Sequence, residues 1–145
     1  MKIYLDNCCL NRPFDDQSNL RIRLESEAIK VILSLCEQNE WQLISSKIVE
    51  FEIKNTPDKA RKKELEAINS LASSCIKINK KIPIRAKEFE KSGLQAFDAM
   101  HLACAENKAD ILLTTDDKFL KKSLKINNLK IRISNPIKWL EEVLS

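Results

Sequence analysis

The stretch Ala109–Asp117, with the sequence ADILLTTDD, decides the fold, because it holds an apolar run that stops at a pair of acids. The continuous apolar character of residues 111–115 predicts a central strand that is covered on both faces, as in a parallel sheet. A second short strand, Ile3–Leu5, ends at Asp6 in the same way. Two strands that each stop at an aspartate predict a sheet with acids along one edge.

Longer helical patterns separate the short strands, and this alternation predicts βα units on a mostly parallel sheet. Apolar side chains at three-and-four spacing predict an amphipathic helix over residues 17–37. Ser46 is suited to cap another helix, and Gly93, the only glycine, stands where a helix end needs a positive φ. The other predicted helices are Asp58–Ala72, Pro83–Ser92, Phe97–Asn107 and one opened by Asn135-Pro136, and the other predicted strands are Trp41–Ile44, Cys75–Ile78 and Lys130–Ser134.

The composition predicts a single domain over residues 1–145, since 43% of the 145 residues are hydrophobic. A net charge of +4 tolerates a polyanionic partner without requiring one. No segment has the apolar length of a signal-peptide core or a membrane span. The five cysteines include no CxxC pair, and an odd number of thiols fits a reducing compartment. We therefore expect a cytoplasmic protein without a membrane partner.

The residues that the chain lacks exclude one class of enzyme and argue against a second. The phosphate loops GxGxxG and GxxxxGK[ST] need several glycines, and the chain has one. A serine hydrolase triad is disfavoured because the chain combines a single histidine with no GxSxG motif.

Acidic residues fall where a parallel sheet collects its ligands, in the crevice beyond the carboxyl ends of the strands. Asp6 and Asp116 follow two strands, Asp98 lies in the first turn of a helix, and either Glu50 or Glu52 can face the same crevice. Crowded carboxylates repel one another unless a cation lies between them. Oxygen ligands without a paired His or Cys favour Mg²⁺ or Mn²⁺ over zinc. The pattern predicts a site for metal-assisted hydrolysis of a phosphate ester.

Alternative roles remain open for several of these residues. Any one acid at a strand end or in a first helical turn is explained by capping or by the helix dipole. His101, one turn after Asp98, either supports the site and its substrate or is a packed, hydrogen-bonded histidine. The residues Asp15, Asp16, Asp110 and Asp117 are predicted to be turn or cap residues.

Four segments in this order resemble a PIN domain: Ile3–Asn7, Ser45–Ile53, Phe97–Ala105 and Ala109–Phe119. The resemblance implies an α/β/α sandwich of three layers with a Rossmann-like central sheet. It also implies a ribonuclease dependent on Mg²⁺ or Mn²⁺, commonly the toxin of a toxin–antitoxin pair. The chain departs from the family pattern at Asn7-Cys8-Cys9 and over the polar segment 11–19.

The resemblance also assigns roles to individual acids. Asp6 resembles the first metal ligand of the family, and Asp98 and Asp116 resemble its later acids. Glu52 fits the pattern of the remaining acid better than Glu50 does, because it is followed by Ile53 and lies six residues after Ser46. Catalysis is therefore expected at Asp6, Glu52, Asp98 and Asp116, with Mg²⁺ or Mn²⁺ held by Asp6, Asp98 and Asp116.

The first hypothesis for function is an endoribonuclease that cleaves single-stranded or looped RNA. A binding module for RNA or protein that keeps the fold without chemistry is the alternative, and all four acids being present argues against it. A phosphatase or nucleotide hydrolase with the same carboxylate chemistry is a third hypothesis. By analogy with the family, the expected partners are an RNA substrate, an antitoxin protein and a second copy of the chain.

Overall fold

A parallel sheet of five strands forms the centre of the molecule in a computed structural model that describes residues 1–145. Its strands are β1 (Lys2–Leu5), β2 (Gln42–Ser46), β3 (Ser74–Ile76), β4 (Ile111–Leu113) and β5 (Arg132–Ser134). The order across the sheet is β3-β2-β1-β4-β5, and all neighbours are parallel. Ile3 of β1 lies opposite Leu43 of β2 on one side and Ile111 of β4 on the other. The first strand therefore occupies the centre of the sheet.

Helices cover both faces of the sheet, which gives the predicted α/β/α sandwich of three layers. They are α1 (Asn7–Asn11), α2 (Leu20–Glu37), α3 (Lys47–Lys54), α4 (Lys59–Asn69), α5 (Lys81–Lys91), α6 (Ala96–Ala105), α7 (Asp117–Leu124) and α8 (Pro136–Leu144). Helix α2 packs against α8, and α5 packs against α6. The buried apolar side chains form one continuous core that includes β1 and β4, which explains why both strands are apolar throughout. No helix combines the length and the apolar character needed to cross a membrane.

Two short helices were not predicted from the sequence. Helix α1 follows β1 directly because the Asp6 side chain caps it, and a 3-10 turn over Arg12–Phe14 continues it. Helix α7 follows β4 because the Asp116 side chain caps it. Both acids predicted at strand ends are therefore also the first residues of helical turns.

The predicted element ends differ from the observed ones for local reasons. The helix predicted over residues 17–37 begins at Leu20, because the Asn19 side chain accepts a hydrogen bond from the Ile22 backbone. Ser46 caps α3 as predicted, accepting from Val49 N–H at 3.2 Å. Gly93 has φ +104° just beyond the end of α5, the conformation predicted for it.

A buried acid and its donors join the start of α2 to the segments around it. Glu25 is 0% exposed, and its carboxylate accepts hydrogen bonds from Arg12 Nε at 2.9 Å and Arg21 Nε at 3.3 Å. Asn135, the cap of α8, donates to the same carboxylate at 2.7 Å. Arg12 is thus held in a structural ion pair.

Candidate metal centre

Asp6 and Asp116 lie at the carboxyl ends of neighbouring strands, because β1 pairs directly with β4. The backbone N–H of Asp6 donates to Leu113 O at 3.3 Å, which ties the two strand ends together. Asp6 Oδ1 accepts from Cys9 N at 3.1 Å, so one carboxylate oxygen caps α1. Burial raises the pKa of the Asp6 carboxyl well above its usual value. The sheet thus places an acid that is costly to ionise at its central strand.

Asp98 lies in the first turn of α6 and is half-buried. Its pKa is raised to about 6, first by burial and then by the negative charges of Asp6 and Asp116, with a smaller contribution from Glu52. All four acids predicted from the sequence therefore interact electrostatically at this carboxyl. The charge on Glu50 is not among these causes.

Asp116 belongs to the acid group, by which we mean the carboxylates of Asp6, Glu52, Asp98 and Asp116, and it also caps α7. Its Oδ1 atom accepts from the backbone N–H groups of Lys118 and Phe119 at 2.9 and 3.2 Å. Its own N–H donates to Thr114 Oγ1 at 3.1 Å, which fixes the turn between β4 and α7. Asp117, the next residue, points away from the acid group and forms an exposed ion pair with Arg21 at 2.7 Å.

The two glutamates of α3 occupy different environments. Glu50 Oε1 pairs with Lys47 Nζ at 2.7 Å and accepts from the exposed Cys75 thiol at 3.4 Å. Glu52 instead contacts His101 Nε2 through its Oε1 atom and faces the groove beside the acids. The geometry places Glu52, the glutamate favoured by the resemblance, in the acid group.

His101 is a buried, hydrogen-bonded residue of α6 that also touches the site. Its Nδ1 atom lies 2.6 Å from the Tyr4 hydroxyl, and that hydroxyl lies 2.7 Å from Ser46 Oγ. The two roles considered for His101 from the sequence thus coincide. The sequence did not identify Tyr4, because a tyrosine in a strand does not show which distant side chain its hydroxyl will contact.

Cys8 is another residue at the site that the sequence did not identify. Its thiol donates to Asp6 Oδ1 at 2.9 Å and lies 3.4 Å from Thr114 Oγ1. Hydrogen bonding with Cys9 lowers the pKa of the Cys8 thiol to about 5 against the effect of burial, and the contact with Cys8 helps to raise the pKa of Asp6. The contact thus lowers the pKa of the Cys8 thiol and raises that of the Asp6 carboxyl.

An open groove of about 670 Å³ runs beside the acids. Among its lining residues are Asn7, Cys8 and Glu52, with Arg61 on the α4 side. Two exposed phenyl rings, Phe51 and Phe97, stack at the groove with their centroids 6.0 Å apart. A larger cavity of about 890 Å³ is lined by none of the four acids. The groove is smaller than this cavity, and of the four acids Glu52 lines it, together with Asn7 next to Asp6 and Phe97 next to Asp98.

The donor set fits a hard divalent cation. Asp6, Asp98 and Asp116 offer carboxylate oxygens, and none of the three forms an ion pair with a lysine or arginine. Mg²⁺ and Mn²⁺ prefer such oxygens. Ligand atoms of Asp6, Cys8 and Cys9 also lie within 4.8 Å of one another, but the Cys9 thiol already donates to Leu113 O at 3.3 Å.

A cluster of acids at the carboxyl edge of a parallel α/β/α sandwich defines a class of protein with a carboxylate metal centre. The PIN domain profile matches residues 3–124, most of the chain, and the chain therefore belongs to the PIN domain family. PIN domains are generally nucleases.

Solved structures of two complexes contain chains with the same fold. One is FitAcB from Neisseria gonorrhoeae, with 15% identity and a TM-score of 0.60, covering 92% of this chain and 97% of that chain. Another is VapBC2 from Rickettsia felis bound to a DNA fragment from their promoter, with 19% identity and a TM-score of 0.59, covering 92% and 98% of the two chains. Similarity at these identities shows the fold alone. No curated protein sequence matches the chain.

Proposed function

We propose that the chain is an endoribonuclease dependent on Mg²⁺ or Mn²⁺ that acts in the cytoplasm as the toxin of a toxin–antitoxin pair. One observation carries the catalytic part. Asp6, Glu52, Asp98 and Asp116 interact without a lysine or arginine partner, and burial together with the negative charges of the other three acids raises the pKa of Asp98 to about 6. An arrangement this unfavourable in the free protein is typical of a functional site.

Each acid has a separate task in the proposed reaction. Asp6, Asp98 and Asp116 would hold the cation, which supplies an activated water and neutralises charge that develops on the phosphate. Asp6 and Asp116 keep their orientation because backbone N–H groups already hold one oxygen of each. Glu52 would orient the attacking water, because His101 restrains only one of its two oxygens.

The groove supports single-stranded or looped RNA as the substrate. An unpaired base can stack on an exposed aromatic ring, whereas the bases of a duplex are already stacked on one another. Phe51 and Phe97 offer such rings beside Glu52 and Asp98, the acids of the cleavage site. Arg61, which lines the same groove and pairs with Asp15 at 3.3 Å, would contact the RNA backbone by exchanging that partner for a phosphate.

The negative charge of the four acids also supports an antitoxin as a partner. A partner that inserts a lysine or arginine among the four acids would neutralise them and occupy the place of the cation. FitAcB and VapBC2 are complexes that contain chains with this fold, which supports such a partner, and the homodimer is proposed by analogy with the family alone. Expression of the chain alone should arrest cell growth, and expression of the Asp98→Asn variant should not.

Cleavage of a labelled, partly single-stranded RNA by the purified chain tests the catalytic proposal. We expect cleavage with Mg²⁺ or Mn²⁺, none with a chelator, and a loss of about 100-fold or more in Glu52→Gln. Glu50→Gln is the matched control, since Glu50 lies on the same helix but pairs with Lys47. Its activity should equal that of the wild type.

Other outcomes would point to another function. RNA that binds equally well with and without metal, and is never cut, would favour the binding module. Hydrolysis of small phosphate esters with no cleavage of RNA would favour the phosphatase.

A further inference from the structure

A chain of buried polar contacts leads from the cap of α3 to the Glu52 carboxylate. Ser46 Oγ lies 2.7 Å from the Tyr4 hydroxyl, which lies 2.6 Å from His101 Nδ1, and His101 Nε2 contacts Glu52 Oε1. Ser46, Tyr4 and His101 are each at most 2% exposed. The two rings pack edge to face, with centroids 5.7 Å apart and an angle of 66° between their planes. Water therefore has little access to this series of contacts.

The direction of these hydrogen bonds follows from the groups themselves. An ionised carboxylate only accepts, so an ionised Glu52 requires a hydrogen on His101 Nε2 that is donated to it. In the neutral imidazole, Nδ1 then accepts the proton of the Tyr4 hydroxyl, and the Tyr4 oxygen is free to accept from Ser46. Ser46 Oγ still accepts from Val49 N–H as the cap of α3. Every donor in the series has one acceptor.

The hydrogen bond from His101 opposes the electrostatic repulsion that acts on Glu52. The negative charge of Asp98 repels its carboxylate, and its side chain is 19% exposed, so solvent is within reach. A free glutamate would rotate outward, away from the other acids. The contact with His101 holds Oε1 in place. Because both oxygens belong to one planar carboxylate, it also restricts the position of Oε2.

We infer that His101 and Tyr4 are positioning residues that hold the Glu52 carboxylate in the acid group. Their catalytic importance rests on the proposed nuclease function, but the contacts themselves do not. The elements involved are β1 through Tyr4, α3 through Glu52 and α6 through His101, which lies one turn after Asp98. One series of hydrogen bonds thus fixes two of the helices that carry the site acids.

Nitrogen NMR of the imidazole tests the contacts without any substrate. His101 is the only histidine in the chain, so its ring signals need no assignment by mutation. We expect a hydrogen on Nε2, and a shift of the Nδ1 signal in Tyr4→Phe, which removes the donor to that atom. A ring with Nε2 free of hydrogen would overturn the inference.

Steady-state kinetics test the positioning role. His101→Ala should lower kcat by about 10- to 100-fold with little change in KM, as expected when a group that orients another is removed. His101→Gln should recover part of that loss, because an amide N–H can reach toward Glu52 in place of Nε2. Tyr4→Phe should lower kcat by a smaller factor than His101→Ala.

Leu102→Ala is the matched control for damage to α6. Leu102 is as buried as His101 and adjacent to it, but it contributes no polar contact. We expect a lower Tm in Leu102→Ala with kcat per folded molecule unchanged. An equal loss of kcat in the two alanine variants would mean that His101 acts only through packing, and would overturn the inference.

The two measurements separate this inference from the proposed function. A wild-type chain that cleaves no RNA, yet carries hydrogen on Nε2 of His101, would refute the nuclease and support the contacts. Full cleavage by His101→Ala would support the nuclease and refute the positioning role.

Discussion

Glu25 and Asp6 are both buried acids, 0% and 3% exposed, yet their surroundings are opposite. Glu25 accepts hydrogen bonds from Arg12, Arg21 and Asn135. Asp6 accepts hydrogen bonds from the Cys8 thiol and from one backbone amide, that of Cys9, and the nearby charge of Asp98 is also negative. The negative charge of Glu25 is balanced by two arginines of the same chain. The carboxylate of Asp6 has no lysine or arginine partner within the chain.

Glu106 shows that compensation is the general rule for buried acids in this molecule. Its carboxylate forms a two-point ion pair with Arg85, with both N–O distances 2.8 Å. Burial alone would raise the pKa of Glu106, but the Arg85 contacts overcome it and hold that pKa below its usual value. A group of acids without such a partner is therefore a local exception. Exceptions of this kind are where function is expected.

The largest effect is expected for Asp98→Asn. Loss of a carboxylate from the acid group should reduce RNA cleavage by about 100-fold or more, since it removes a ligand for the cation. The free energy of unfolding in metal-free buffer should not fall, because the substitution removes a repelled charge. Cleavage assays and denaturant melts on one preparation check both parts. Retained activity would remove Asp98 from the site.

The opposite pattern is expected for Glu25→Gln. Breaking a buried, hydrogen-bonded ion pair should lower the free energy of unfolding by about 2–3 kcal/mol, near the lower end of such effects because Arg12 keeps Asp15 as a partner. Cleavage per folded molecule should stay at the wild-type level. A large loss of cleavage in a well-folded Glu25→Gln protein would contradict the division between the two regions.

A smaller effect concerns pH. The pKa of Asp98 is about 6, above its usual value of 3.8, so the folded chain holds this proton more tightly than the unfolded chain. Stability from this group is therefore present in acid and lost as the pH rises through about 6. In chelator, wild-type protein should lose about 1 kcal/mol more than Asp98→Asn between pH 4 and pH 7, a value reduced for the partial exposure of the group. Identical dependence of the free energy of unfolding on pH in the two proteins would mean that the pKa of Asp98 is not raised. Added Mg²⁺ should weaken this dependence in the wild type.

The smallest effect is expected at the surface. Arg21 and Asp117 form a two-point ion pair, but both side chains are at least half exposed. Asp117→Asn should change the free energy of unfolding by less than about 1 kcal/mol, and high salt should erase the difference. If Asp117→Asn lowered the free energy of unfolding as much as Glu25→Gln, solvent exposure would not determine how much these ion pairs contribute to stability.

The sequence predicts the parts of the fold that depend on local pattern. Strands β1 and β4 are recognisable because each is a short apolar run, and their final acids mark the edge where the four carboxylates meet. The start of α3 follows from its capping residue Ser46, whereas α2 is predicted from residue 17 and begins at Leu20, after its cap Asn19. These features need no knowledge of distant contacts.

Contacts between distant residues could not be predicted in the same way. Tyr4 and His101 lie far apart in the sequence, and only the pairing of β1 within the sheet and the packing of α6 bring them together. Helix α1 has five residues, too few for a periodic pattern, and it forms because Asp6 caps it. The choice between Glu50 and Glu52 depends on which face of α3 meets α6, and that is a property of packing.

The position of β1 at the centre of the sheet affects how the protein is made. Asp6 leaves the ribosome early, but its strand gains its β4 neighbour only after residues 111–113 have been synthesised. Asp98 and Asp116 also come late in the chain, so the four acids cannot meet until most of the polypeptide is available to fold. Pairing over such distances in sequence is slow. Under the proposed nuclease function, a nascent chain of this protein would therefore be unable to cleave the RNA around it for most of its own translation.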